Sequence, residues 1–365
     1  MNTISLCMIV KNEEEVLKQC LESVNDICDE IIIVDTGSND LTKTIAKEFT
    51  DKVIDFKWID DFSAARNFAF SHATMDYILW LDADDVLLKE DQLKFKALKD
   101  VLHEGIDGVS MLYHIAFDEY GKPTFSYRRN RLVKRSKQFH WIGAVHEYLE
   151  VSGNIISADI AVTHKKSEKT RGTQSNRNLT IYENRLKKGE KFTPRDLFYY
   201  ANELKDHGKF QKATIYYREF LATRKGWVED EIRACINMAA CYKKIGSEEK
   251  ELESLVSSIQ YDVPRPEVSC QIGDIYKGRK QFKKAIIWYL LAIEIEIDND
   301  YGFTQISYAT WYPHLQLCVC YWQIGEIEKS IKHNNKAKEY RPNDSQVKHN
   351  ENFFKEYLAN KAKLE

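Results

Sequence analysis

An α/β domain on a mainly parallel sheet, followed by an all-α domain of stacked helix pairs, is the architecture this sequence predicts. Two observations carry it. The first third alternates short apolar runs with helically spaced ones, and the segment from about 194 to 345 repeats one helix-pair outline. A length of 365 residues leaves room for two domains. The content, 43% hydrophobic and 30% charged, is that of a globular chain. A net charge of -3 gives no electrostatic reason to expect nucleic acid or an anionic membrane as partner.

The front elements follow in order. "TISLCMIV" (3–10) is a short apolar run bounded by polar residues, a buried strand. "EEEVLKQCLESV" (13–24) sets Val16, Leu17, Cys20, Leu21 and Val24 at helical spacing. "EIIIVDTGSND" (30–40) is a second buried strand ending in a turn, and "DLTKTIAKEF" (40–49) a helix. "KVIDF" (52–56) is a third strand, "FSAARNFAFSHA" (62–73) a helix, and "DYILWLDADD" (76–85) a fourth strand. Strand–helix alternation of this kind implies a mainly parallel sheet covered on both faces. Three further strands, "DGVSMLYHIAF", "TFSYRRNRLVKR" and "ISADIAVTH", follow between turns at Gly105, Gly121 and Gly153, and an amphipathic stretch at about 174–188 leads away.

Behind it the character changes. Small residues recur at Ala201, Ala239, Gly273 and Cys318, each followed three positions on by Leu204, Tyr242, Tyr276 or Tyr321. A second set stands at Ala213, Ala285 and Ala337. This pattern resembles tetratricopeptide repeats, helix pairs of about 34 residues. An insertion interrupts it around 295–310, and "SQVKHNENFFKEYLANK" reads as a capping helix. The expected division is 1–170 for the α/β domain, 171–193 for a connection and 194–365 for the repeats.

None of the eight cysteines forms a CxxC, which reads as buried reduced thiols of a cytoplasmic protein. The opening "MNTISLCMIVKNEEE" lacks the basic-then-apolar pattern of a signal peptide. No run approaches the ~18 apolar residues of a membrane span.

Chemistry gathers where strands end, which is where open α/β sheets bind ligands. In "LWLDADD", Asp82 and Asp84 would project to one side of an extended backbone and could hold one divalent cation, Mg2+ or Mn2+. A solvated turn is the plain alternative. Asp35, closing "VDTGSND", could accept the N3–H of uracil, and Arg66 in "SAARN" could offset diphosphate charge or bind the base. Asn12 and Glu13 in "VKNEE" could reach a ribose.

Taken together, "MIVKNEE", "IIIVDTGSND", "FSAARN" and "LWLDADD" resemble the nucleotide-sugar signatures of family 2 glycosyltransferases of the Rossmann-like GT-A fold. The resemblance covers about residues 1–170. It implies a UDP-sugar donor lying against Val10, Asn12, Glu13, Asp35, Arg66, Asp82, Ala83 and Asp84, with Asp82, Asp84 and His164 holding Mn2+ or Mg2+. Thr36 departs from the second acid often found in the family. "FHWIGAVHEYLE", "VTHKKSEKTRGTQSNRN" and the repeats behind them resemble the sublancin-type peptide S-glycosyltransferases, and "VHE" is shared with lipopolysaccharide-core glucosyltransferases.

In both groups the acceptor side lies near "VHE", which makes Glu147 the first candidate for general base and His146 the second. Lys169, Arg171 and Arg177 are candidates for a diphosphate lid; a solvated basic run is the alternative. Arg128, Arg131, His140 and Trp141 stand as further candidates near the donor or sugar. The expectation is an inverting, metal-dependent hexosyltransferase acting on a peptide or protein Cys or Ser/Thr side chain. The alternatives are a saccharide or lipid-linked glycan acceptor, with repeats that dimerise or dock on a partner, and a non-catalytic repeat scaffold.

Overall fold

The computed structural model describes residues 2–117, 123–165, 176–295 and 305–361. The chain divides into two compact units, Met1–Lys191 and Phe192–Glu365. The first extends past the expected 170 because the helix Arg177–Lys187 buries Leu179, Ile181 and Tyr182. The Tyr182 hydroxyl donates to the Val145 carbonyl at 3.5 Å.

In the first unit β1 (Ile4–Val10), α1 (Leu17–Val24), β2 (Glu30–Asp35), α2 (Thr42–Ala46), β3 (Val53–Asp55), α3 (Phe62–Ser71) and β4 (Tyr77–Trp80) come in the expected sequence. Then come β5 (Asp85–Leu87), α4 (Lys89–Val101), β6 (Gly108–Phe117), β7 (Pro123–Lys134), β8 (Trp141–Ile142), β9 (Tyr148–Leu149), β10 (Ile155–His164) and α5 (Arg177–Lys187). Eight of these strands form one sheet in the order β3-β2-β1-β4-β7-β6-β10-β5, and β8 pairs with β9.

The sheet is mainly parallel, as expected, with β6 and β10 also paired in parallel, but it is mixed because two strands are reversed. β3, β2, β1 and β4 run parallel, but β7 is antiparallel to both β4 and β6, and β5 is antiparallel to β10. Parallel neighbours need a crossover of a dozen residues or more, which the helices of the first third supply; antiparallel ones need only a turn.

Alternation along the strands fills both faces. Leu6 and Met8 of β1 and Ile31 and Ile33 of β2 join α1 and α4 in one core. Cys7, Ile32 and Val34 face the other way, against Ala69 of α3. α4 is not among the predicted helices: Phe95 and Leu98 are buried, but Leu93 is 70% exposed, so its apolar stripe is thin.

The second unit contains α6 (Pro194–Asp206), α7 (Phe210–Thr223), α8 (Val228–Ile245), α9 (Glu248–Ser257), α10 (Pro266–Gly278), α11 (Phe282–Glu294), α12 (Trp311–Gln323), α13 (Ile327–Tyr340) and α14 (Ser345–Lys361). Thr193 and Asp196 form a capping box at the start of α6. The predicted small positions are where helices meet. Ala201, Ala239, Ala213, Ala285 and Ala337 are fully buried, and a Cβ on Gly273 would come within 2.7 Å of the Tyr289 ring. Such close approach is what the recurring small residue allows.

All eight cysteines are unpaired and seven are buried. Among the described residues no helix is long and apolar enough to cross a membrane.

Candidate active site

The carboxyl ends of β1, β4 and β10 open onto a cavity of about 400 Å³ in the first unit. Of the residues singled out in the sequence, Val10, Glu13, Arg66, Asp82, Ala83, Asp84, His146, Glu147, His164 and Arg177 line it. Lys169 and Arg171 lie outside the described residues.

Asn12 and Asp35 are not in the lining. Asn12 has a left-handed backbone (φ 57°), and its side-chain oxygen accepts from Asn39 N at 2.8 Å. Asp35 is buried, and its Oδ1 accepts from Gly37 N and Ser38 N at 2.9 Å each. Asp35 Oδ2 has no hydrogen-bond partner among the described residues.

The acidic stretch is built differently from the extended reading. β4 ends at Trp80, and residues 82–85 close a turn in which Asp85 N donates to Asp82 O and Asp82 N to Asp85 Oδ2, both at 3.0 Å. An i, i+2 projection needs extended backbone, so Asp82 and Asp84 part company. Asp82 Oδ1 sits 2.6 Å from Arg66 Nη2. Asp84 and Asp85 instead converge with His164, one ligand atom from each lying within 4.8 Å of the others.

The sheet makes this meeting: His164 and Asp85 are cross-strand partners of β10 and β5, and Lys165 N donates to Asp84 O at 2.7 Å. His164 Nδ1 lies 3.3 Å from Asp84 Oδ1, 3.6 Å from Asp85 Oδ1 and 3.0 Å from the Tyr113 hydroxyl. Burial disfavours the charged ring, but the nearby Asp84 and Asp85 carboxylates outweigh it and raise His164 to about 9.

Two carboxylates and an imidazole are a donor set suited to Mn2+. Asp85 Oδ1 is buried without a hydrogen-bond partner among the described residues, an acceptor that a cation would satisfy. The residues present therefore fit a divalent ion, which Asp84, Asp85 and His164 could hold together, while Asp82 is paired with Arg66.

Arg66 is the hub of the opposite wall. Asp61 caps α3 by accepting from Ala64 N, which places Arg66 one turn into the helix. Its Nε donates to Glu147 Oε1 at 2.7 Å, and the guanidinium lies 4.7 Å from the Trp141 ring and 5.2 Å from that of Trp80. Burial works against its charge, but Asp82 and Glu147 outweigh burial and raise it above its ordinary value. Burial likewise pushes Asp82 up, but Arg66 and Arg131 hold its carboxyl well below the usual range. Glu13 goes the other way: burial, then Asp84 and Asp82, raise it to about 7.

The cavity also holds Thr36 and residues the sequence did not single out, among them Lys11, Trp58, Phe62 and Arg129. Arg128, flagged there, turns away and donates to the Ser110 and Ala158 carbonyls at 3.2 and 3.1 Å. Arg131 is fully buried, 3.0 Å from Asp85 and 4.0 Å from the Trp80 ring. Period-2 alternation through "YRRNRL" would have put Arg129 and Arg131 together. Trp141 is buried, edge-on to Trp80 at 4.6 Å, and does not line the cavity.

The cavity thus lies at the carboxyl edge of a Rossmann-like sheet, beside an acidic turn and a histidine, which is where open α/β sheets bind ligands. The glycosyl transferase family 2 model matches residues 5–230 and a tetratricopeptide repeat model matches 266–298. The chain belongs to glycosyltransferase family 2.

The SPbeta prophage-derived glycosyltransferase SunS of Bacillus subtilis is 32% identical over 233 residues, 61% of this chain and 54% of that one. A TPR repeat-containing protein of Synechococcus elongatus is 50% identical over 100 residues, 27% of this chain and 25% of that protein. The chain thus spans about half of SunS and a quarter of the cyanobacterial protein. The solved MamA structure, 16% identical with a TM-score of 0.37, covers 45% of this chain and 81% of its own.

Proposed function

We propose that the first unit moves a hexose from a UDP-sugar onto a cysteine, serine or threonine side chain of a peptide or protein, with inversion at the anomeric carbon. The observation that carries this is the cavity itself. It brings Glu13, Arg66 and Asp84 from the donor signatures to face His146 and Glu147 of the acceptor stretch, in a chain of this family. The likeness to SunS favours a peptide acceptor of the sublancin type.

In this reading the acceptor's sulfur or oxygen attacks the anomeric carbon, whose bond to the diphosphate oxygen breaks, and UDP leaves with the electron pair. The acceptor proton passes to the Glu147 carboxylate, whose Oε1 is fixed by Arg66. His146, in the same cavity on a left-handed backbone (φ 51°), is the alternative base. A divalent ion at Asp84, Asp85 and His164, when bound, would neutralise charge on the leaving diphosphate.

The test is mass spectrometry of cysteine- and serine-containing peptides incubated with a panel of UDP-hexoses and Mn2+. A gain of one hexose, absent in Asp84→Ala, is expected. No gain across donors and peptides would overturn the proposal, and a gain on oligosaccharides alone would move the acceptor to a glycan.

A further inference from the structure

Four arginines stand in or behind the cavity, and their circumstances differ. Arg66 is held between Asp82 and Glu147. Arg131 is fully buried against Asp85. Arg177, at the start of α5, lies over the Phe62 ring at 4.5 Å. Arg129 lines the cavity, half-buried, on β7.

Among the described residues the Arg129 guanidinium has no hydrogen-bond or ion-pair partner: it lies near the rings of Trp80 at 5.2 Å, Tyr113 at 5.7 Å and Tyr127 at 5.7 Å, and its charge helps to lower the Asp82 carboxyl. Aromatic faces attract a cation and fix its plane, but they accept none of the five N–H groups at its edge. A guanidinium set among aromatic rings with its donors unused, in a cavity, is prepared for a planar or tetrahedral oxyanion.

Position selects which oxyanion. Tyr113, part of the aromatic bed, is hydrogen-bonded through its hydroxyl to His164 Nδ1 at 3.0 Å. Arg129 therefore stands on the side of the cavity occupied by Asp84, Asp85 and His164. The acceptor stretch, by contrast, is bound to Arg66 through Glu147.

We propose that Arg129 binds the diphosphate of the donor, taking phosphoryl oxygens with the edge of its guanidinium while Trp80, Tyr113 and Tyr127 hold its face. This rests on reading the cavity as a sugar-nucleotide site. It gives the leaving group a fixed cation within the described fold, one that needs no closing segment.

Calorimetric titration of the full chain with UDP and with uridine, in Mn2+, separates the outcomes. Arg129→Met is expected to weaken UDP binding about tenfold to a hundredfold, the loss of a charge-assisted bidentate contact, while uridine binding stays within about twofold. Arg129→Lys, which keeps a point charge but not the fork, should fall between.

Equal affinity of wild type and Arg129→Met for UDP would overturn the assignment. A parallel loss of UDP and uridine binding would also overturn it, showing that Arg129 only packs the aromatic wall. Thermal melting of the variant guards against a general folding defect, against which stands the lack of a hydrogen-bond partner for the guanidinium among the described residues. A wild type that binds no UDP would overturn the reading of the cavity itself, and the role of Arg129 with it.

Discussion

Breaking the Arg66–Glu147 pair should cost far more than breaking a surface ion pair. Nε and Oε1 are 2.7 Å apart, and the side chains are only 9% and 12% exposed. Charges about 4 Å apart attract by about 4 kcal/mol at an effective dielectric of 20, and part of that is lost to desolvation. A coupling of about 2 kcal/mol or more is left, against about 0.2–1 kcal/mol for an exposed pair.

Arg66→Met also forfeits the Asp82 pair and the Trp80 and Trp141 ring contacts, so the single variant overstates the interaction. A double-mutant cycle with Glu147→Gln removes those shared losses. Hydrogen exchange of the full chain, read on peptides spanning α3 and β4, reports the opening free energy of the first unit alone. A coupling below about 0.5 kcal/mol would refute the claim that this pair ties the donor and acceptor walls together.

Two further outcomes are expected. Mn2+ affinity, followed by electron paramagnetic resonance, should fall at least about tenfold in Asp84→Asn and His164→Asn but by less than about threefold in Asp82→Asn, because Asp82 pairs with Arg66 rather than joining the triad. In the repeats, burial and the neighbouring His314 ring, 2.8 Å away between Nδ1 atoms, lower His333 to about 4. The unfolded chain then takes up its proton first, so this stabilisation is complete above about pH 6.5 and is lost as pH falls through about 4; melting of the second unit should decline over that window and decline less in His333→Gln.

Much of the fold was legible because its periods are clean. β1 and β2 are apolar on both faces, and the strand–helix order of the first third follows directly. The repeats announced themselves through Ala201, Ala239 and Gly273, where helix contact leaves no room for a larger residue. Less was visible where long-range pairing decides. Nothing local says that β5 pairs with β10, so the sequence did not bring Asp85 together with His164.

The same limit hid Arg129. Its role depends on Trp80, Tyr113 and Tyr127 gathering from three strands, whereas Arg128 beside it looked equivalent in the chain. Asp35 shows the reverse: a strand-end carboxylate was correctly placed at the sheet edge, but its Oδ1 is committed to the turn at Gly37 and Ser38.

If the triad holds an ion as proposed, the β5–β10 ladder also governs when the protein becomes able to do so. Asp85 and His164 are distant in the chain and meet only because two strands lie in one register, where a slip of a single residue would turn one of them to the opposite side of the sheet. Metal affinity is therefore a report on completed assembly: a nascent chain that has not yet added its final strand has the acidic turn but no triad. Chelation of an ion held there should loosen β5, the strand at the edge beside β10, first, which would make the edge of the sheet, rather than its centre, the place where metal supply and folding are coupled.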